Sequence, residues 1–92
     1  MTIKSKDTVF IGKKPLMTYV TSAILQLSEL PLITIKARGH SIGLAVDVVQ
    51  VIQRKTTAFE IGKITINSES LNSLDGKKRD VSTIEIPLKR NW

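Results

Sequence analysis

The spacing of apolar positions divides the chain into six segments. "TVFI" (8–11) is a short β-branched and aromatic run, the pattern of a buried strand, and Gly12 ends it. "PLMTYVTSAILQLSE" (15–29) places Leu16, Val20, Ala23, Ile24 and Leu27 on one side of a helix. Pro15 suits the first turn of that helix, where a missing N–H costs nothing, and Pro31 closes the segment. "LITIKARG" (32–39) alternates instead. Ile33, Ile35 and Ala37 face one way and Thr34, Lys36 and Arg38 the other, as in a half-buried strand. Ser41 stands where it can cap a second helix, running from about Ile42 to Lys55.

The second helix carries two apolar stripes: Ile42, Ala45, Val46, Val49 and Ile52, and then Leu44, Val48 and Val51. One stripe can cover the chain's own sheet. The other needs a cover that 92 residues can hardly supply, which predicts a homodimer with this helix in or near the interface. "FEIGKITIN" (59–67) and "VSTIEIPLKR" (81–90) read as the third and fourth strands. Alternation slips at Gly62, predicting a bulge, and Pro87 predicts an edge strand or a bulge. The mostly polar "SESLNSLDGKKRD" between them holds the hairpin signal Asp75-Gly76, so residues about 68–81 are predicted to project as an arm. The order is β-α-β-α-β-β. The expected architecture is an α+β two-layer sandwich forming one domain over residues 1–92, with residues 1–6 a loose tail carrying Lys4 and Lys6.

Charge adds direction to this plan. Fourteen Lys and Arg stand against eight Asp and Glu, a net charge of +6, and the pI is about 9.9. A basic domain with clustered cations carries the electrostatic footprint of a nucleic-acid binder. Helical crossovers make the strands they join parallel, so the loops leaving the strands' carboxyl ends emerge on one edge. Lys13 and Lys14 lie on the first such loop; Lys36, Arg38 and His40 lie at or near the second. Both meet helix N-termini, whose dipoles and free N–H groups suit phosphate. The third cluster, Lys77, Lys78 and Arg79, sits at the arm tip, where it can reach a groove. Tyr19, one turn into the first helix, is placed to stack, to donate to a phosphate, or to serve as a boundary aromatic. Asp47 is placed to pair with Lys14 or Arg38, or to help cap its helix.

Other chemistries find no footing. No run approaches the roughly 18 apolar residues of a membrane span. "MTIKSKD" has no apolar signal core, which predicts no secretion. The absence of cysteine excludes disulfides, thiolate zinc sites and a cysteine nucleophile, and suits a cytosolic protein. "IGKKP" is not a nucleotide-binding P-loop, and "GHSIG" is spaced G-x-x-x-G rather than as a nucleophile elbow. One histidine among scattered carboxylates makes no metal constellation. The expectation is a protein that is not an enzyme and uses no cofactor, metal or small-molecule substrate.

"IGKKPLMTYV", "ITIKARG", "SIGLAVD" and "DGKKRDVSTIEI", spanning about residues 8 to 90, resemble the Alba family of small archaeal chromatin proteins. The resemblance implies a β-α-β-α-β-β fold similar to the C-terminal domain of a bacterial translation initiation factor. It implies dimers that bind double-stranded DNA with little sequence preference, and also RNA, the body over the duplex and two arms along the minor groove. It places the family lysine pair at Lys13 and Lys14, an acetylation site at Lys13, the family arginine at Arg38 and the first-helix tyrosine at Tyr19. The chain departs from many relatives in carrying His40 for an arginine, Leu44 for a lysine, and Thr56 nearest the place of a phenylalanine that joins dimer to dimer. These departures lower the charge of the body and allow a paralogue that forms heterodimers with a fuller partner. The expected function is DNA packaging, cytoplasmic and chromosome-associated. Its rivals are an RNA-binding protein or RNA-processing subunit, and a dimerisation module whose charge serves only solubility.

Overall fold

The computed structural model describes residues 7–91; the expected loose tail, residues 1–6, lies outside them. The order is β1 (Thr8–Phe10), α1 (Leu16–Glu29), β2 (Leu32–Arg38), α2 (Ile42–Lys55), β3 (Phe59–Ile61), β4 (Thr65–Asn72) and β5 (Lys78–Arg90). A single 3-10 turn, Gly39–Ser41, leads into α2. The sheet runs β1-β2-β5-β3, and β4 also pairs with β5. β1 and β2 are parallel, whereas β5 is antiparallel to β2, β3 and β4. Strands β2 and β3, joined through α2, therefore run the same way, as a helical crossover requires.

Both helices pack on one face of the sheet. Val9, Ile33, Ile35, Ile84, Ile86 and Leu88 point from the sheet into a core that Val20, Ala23, Leu27, Ala45, Val48, Val49 and Ile52 complete. Full burial of each larger side chain contributes roughly 1.5–3 kcal/mol. The two predicted stripes of α2 divide differently from the expectation. Ala45, Val48, Val49 and Ile52 are buried together, because i, i+3, i+4 and i+7 make one helical face. Leu44 and Val51 flank that face half-buried, and Val46, 41% exposed, is left outside.

Several local expectations are corrected. Pro15 is the cap residue before α1 rather than its first helical residue, and its carbonyl accepts from Thr18 N at 3.0 Å. Ser41 precedes α2 but makes no side-chain capping bond. The 3-10 turn feeds straight into the helix instead, and Ile42 N–H bonds to the Gly39 carbonyl. The far end of α1 is closed from a distance: Arg90 Nη1, on β5, donates to the carbonyls of Leu27 (3.1 Å) and Ser28 (3.2 Å). A cation there also complements the negative end of the helix dipole.

The predicted third strand is two. Four steps from Ile61 to Thr65 face only three from Leu88 to Glu85, so one extra residue is accommodated around Gly62. This is the expected bulge, and it accounts for Pro87. That proline lies in the central strand β5, not at an edge. Its carbonyl accepts from Gly62 N at 2.9 Å, so its missing N–H also faces the bulge, where the ladder is interrupted. A Cβ on Gly62 would come within 3.3 Å of the Pro87 ring, which explains why glycine fits there.

Beyond the bulge, β4 and the first half of β5 leave the body as a two-stranded ribbon. Thr65–Asn67 pair with Thr83–Glu85, which also pair with β2, so the two-stranded stretch itself starts at Ser68–Ser82, and all eight β4 residues are exposed. The molecule is accordingly elongated, 48 × 32 × 24 Å. Ser73 N bonds to the Lys77 carbonyl (2.9 Å) and Gly76 N to the Ser73 carbonyl (3.0 Å). Leu74, Asp75 and Gly76 thus form a three-residue loop with Gly76 in the left-handed region at φ 81°.

The Asp75 carboxylate braces this loop, accepting from the Ser73 hydroxyl and from Lys77 N (3.1 Å). The Ser73 hydroxyl and the Lys77 amide hold its pKa below the ordinary aspartate value of 3.8. A depressed carboxylate pKa gives stabilisation that is present above the ordinary value and lost as pH falls through the lowered one. The tip is therefore expected to stay braced at neutral pH and to loosen only below about pH 3.8. Faster exchange of the Lys77 amide on acidification, corrected for intrinsic chemistry, checks this; an unchanged protection factor would refute it.

Candidate nucleic-acid interface

Strands β1 and β2 lie side by side, with Phe10 opposite Lys36. The chain leaves both carboxyl ends on the same edge. One exit is the loop Ile11–Pro15, bearing Lys13 and Lys14; the other is the turn at Gly39–Ser41, bearing His40. The first exit is sewn to β2 by Ile11 N donating to the Lys36 carbonyl at 2.9 Å. Each leads into a helix whose first turn holds no acidic residue, so the positive end of its dipole is uncompensated.

Tyr19 builds the lysine loop from beneath. Its ring is 6% exposed, so it is neither a boundary aromatic nor a face on which a base can stack. Its hydroxyl accepts from Gly12 N at 2.8 Å and from Lys14 N at 2.9 Å. Two backbone donors on either side of Lys13 converge on one oxygen, which turns the chain sharply and leaves Lys13 and Lys14 exposed. No local sequence pattern marks this role. The i+5 and i+7 separations from Lys14 and Gly12 become contacts only once α1 folds back on the sheet.

The second cluster is partly occupied. Lys36 Nζ lies 4.0 Å from the Glu85 carboxylate, its cross-strand neighbour on the open face of the sheet. Arg38 Nη1 lies 3.5 Å from Glu69 on β4. Arg38 thus takes Glu69 as its partner rather than Asp47, which is exposed on α2. Both pairs are solvent-exposed and worth about 0–1 kcal/mol each. Lys13, Lys14 and His40 have no carboxylate partner within 4.0 Å among the described residues. The sequence contained Glu69 and Glu85, but their placement depends on the strand register and on the ribbon turning back beside β2.

The arm joins this edge. His40 and Gly39 line one side of a shallow groove whose other side is formed by Leu71, Arg79 and Val81 of the ribbon. Arg79 therefore shares a surface with the β2 turn. Lys77 closes the tip loop by pairing with Ser73 and Lys78 is the first residue of β5, both exposed. Among the described residues no helix is long and apolar enough to cross a membrane.

Comparison with known proteins agrees with this geometry. The family model described as Alba matches residues 7–68. The chain is 60% identical over 93 residues to a DNA/RNA-binding protein Alba of Nitrosopumilus maritimus, covering 99% of this chain and 98% of that protein. It is 45% identical over 86 residues to a DNA/RNA-binding protein Alba of Methanocella arvoryzae, covering 91% and 90%. Among solved structures, Alba from Thermoplasma volcanium superposes with a TM-score of 0.83 at 38% identity, covering 90% of this chain and 99% of that one. An Alba protein of Trypanosoma brucei shares the fold at a TM-score of 0.77 and 22% identity, over 92% of this chain and 69% of that one. The motifs around Lys13 and Arg38 and a five-stranded sheet crossed by two helices are thus accounted for together: the chain belongs to the Alba family.

Proposed function

We propose that this protein is a nucleic-acid binder that coats double-stranded DNA with little sequence preference, as a dimer. Lys13 and Lys14 neutralise phosphates at the body, with His40 beside them. Arg38 is released from Glu69 to join them, an exchange made easy by the small worth of an exposed ion pair. The arm carries Lys77, Lys78 and Arg79 to the groove. Lys36 contributes through its field, and Tyr19 acts by holding the lysine loop. The observation that carries this reading is the pair of cation-bearing loops at the carboxyl ends of adjacent parallel strands, each opening onto an acid-free helix N-terminus. The names of the Nitrosopumilus and Methanocella relatives point the same way. Acetylation of Lys13 would remove one phosphate contact per subunit, and the protein's place in the cell is the cytoplasmic chromosome.

Binding through phosphates makes a definite prediction. If each subunit engages about four phosphates, log K against log salt falls with a slope near −7, at ~0.9 per phosphate. A slope shallower than about −2 would remove bulk phosphate contact as the basis of binding. Val46, exposed on one flank of the buried face of α2, and half-buried Leu44 and Val51 on the other are the apolar parts of that helix left for a partner subunit. A mass near 10.2 kDa by light scattering at micromolar concentration would count against the dimer.

The DNA/RNA-binding names of the relatives favour RNA as a second ligand. A cationic edge suits A-form helices too, and with Tyr19 and Phe59 buried, Phe10 is the one exposed aromatic among the described residues, a small platform for single-strand stacking. Competition between duplex DNA and duplex RNA at matched salt separates the two.

A further inference from the structure

Leu74 is the one large apolar side chain of the described residues with no protein cover at all: its relative exposure is 110%. It sits at the first position of the tip loop, at the far end of a ribbon whose β4 strand is exposed throughout. The loop that presents it is stiff. Ser73 N and Gly76 N are each bonded across the turn, and the Asp75 carboxylate ties Ser73 to Lys77. Three cations, Lys77, Lys78 and Arg79, follow within five residues. A solvated turn needs no leucine, and a turn built only for phosphates would gain from a polar residue. Proteins that work in the minor groove use such a side chain, on a positively charged support, as a wedge between stacked bases.

We propose that Leu74 enters a base step of duplex DNA from the minor groove, partly unstacking and kinking it, while Lys77, Lys78 and Arg79 hold the flanking phosphates. This deepens the DNA-binding reading above and rests on it. The wedge acts where unstacking is cheapest, at pyrimidine–purine steps such as TA. It is a distortion site added to an otherwise sequence-indifferent surface. Its contribution to affinity is small, because the apolar burial gained is offset by the stacking lost.

The test uses the full-length protein and duplexes carrying 2-aminopurine beside a central TA step, with end-labelled duplexes to report bending by energy transfer. Saturating wild-type protein is expected to raise 2-aminopurine fluorescence and to bend the duplex by on the order of 20° or more. Leu74→Ser is expected to lose both signals while binding within about threefold of wild type with the same salt slope. Leu74→Met, which keeps an apolar wedge, is expected to retain both. Leu74 touches no core residue, so neither variant should change the melting temperature. Saturated binding without a fluorescence or bending signal overturns the wedge and leaves the DNA-binding reading standing. Equal signals from wild type and Leu74→Ser overturn it as well. Absence of any DNA binding by the wild-type protein overturns both readings.

Discussion

Replacing Lys13 and Lys14 together by glutamate is expected to weaken duplex DNA binding at least about a thousandfold at 0.1 M salt. Four phosphate contacts are lost per dimer, each worth about 0.9 in log K for a tenfold change in salt. The four introduced carboxylates add repulsion at two helix N-termini that carry no acid of their own in their first turns. Both lysines are exposed and have no ion-pair partner among the described residues. The circular dichroism spectrum should therefore match that of the wild type, with a melting temperature within a few degrees. Filter binding or fluorescence anisotropy over a salt series checks the expectation. Unchanged affinity in a folded double variant would move binding to another surface, and it would revive the reading in which the charge serves solubility alone.

The second large effect is on stability as well as binding, and it comes from removing one oxygen. Tyr19→Phe leaves the ring in the core but takes away the acceptor shared by Gly12 N and Lys14 N. Losing the acceptor for partly buried backbone donors costs about 1–3 kcal/mol. At roughly 5 °C per kcal/mol for a domain of this size, the melting temperature should fall by about 5–15 °C. The lysine loop becomes free to move, and binding must then order it. Fixing a residue's backbone costs about 1–2 kcal/mol, so affinity should drop about tenfold. No charge is lost, so the salt slope should stay the same, unlike that of the double glutamate variant. A Tyr19→Phe protein with wild-type melting temperature and affinity would show that the hydroxyl does not hold the loop.

How much of this was legible in the sequence differs from element to element. Both helices stood out because their apolar positions recur at helical spacing, and α2 spans Ile42 to Lys55 as expected. β2 stood out because Ile33, Ile35 and Ala37 alternate with Thr34, Lys36 and Arg38. The bulge at Gly62 was visible as a slip in alternation. Pro87 left an edge and a bulge both open, because its ring marks a missing donor without saying which neighbour would have received it, and the packed sheet placed it at the bulge. The second stripe of α2 was misjudged for a similar reason: Val48 sits on the boundary between two stripes, and only the packed sheet decides which side is core.

The candidate site divides along the same line. Local order along the chain determined which residues are charged, which segments are strands or helices, and that two cationic loops follow strands that a helical crossover must make parallel. Those are consequences of side-chain period and chain chirality, which act over a few residues. The tertiary structure alone decided that Arg38 meets Glu69, that Lys36 meets Glu85, that Arg90 closes α1, and that the Tyr19 hydroxyl gathers two amides around Lys13. Each of these depends on strand register or on the seating of a helix against a sheet. Such distances are set by how the whole core closes, and no stretch of sequence contains them.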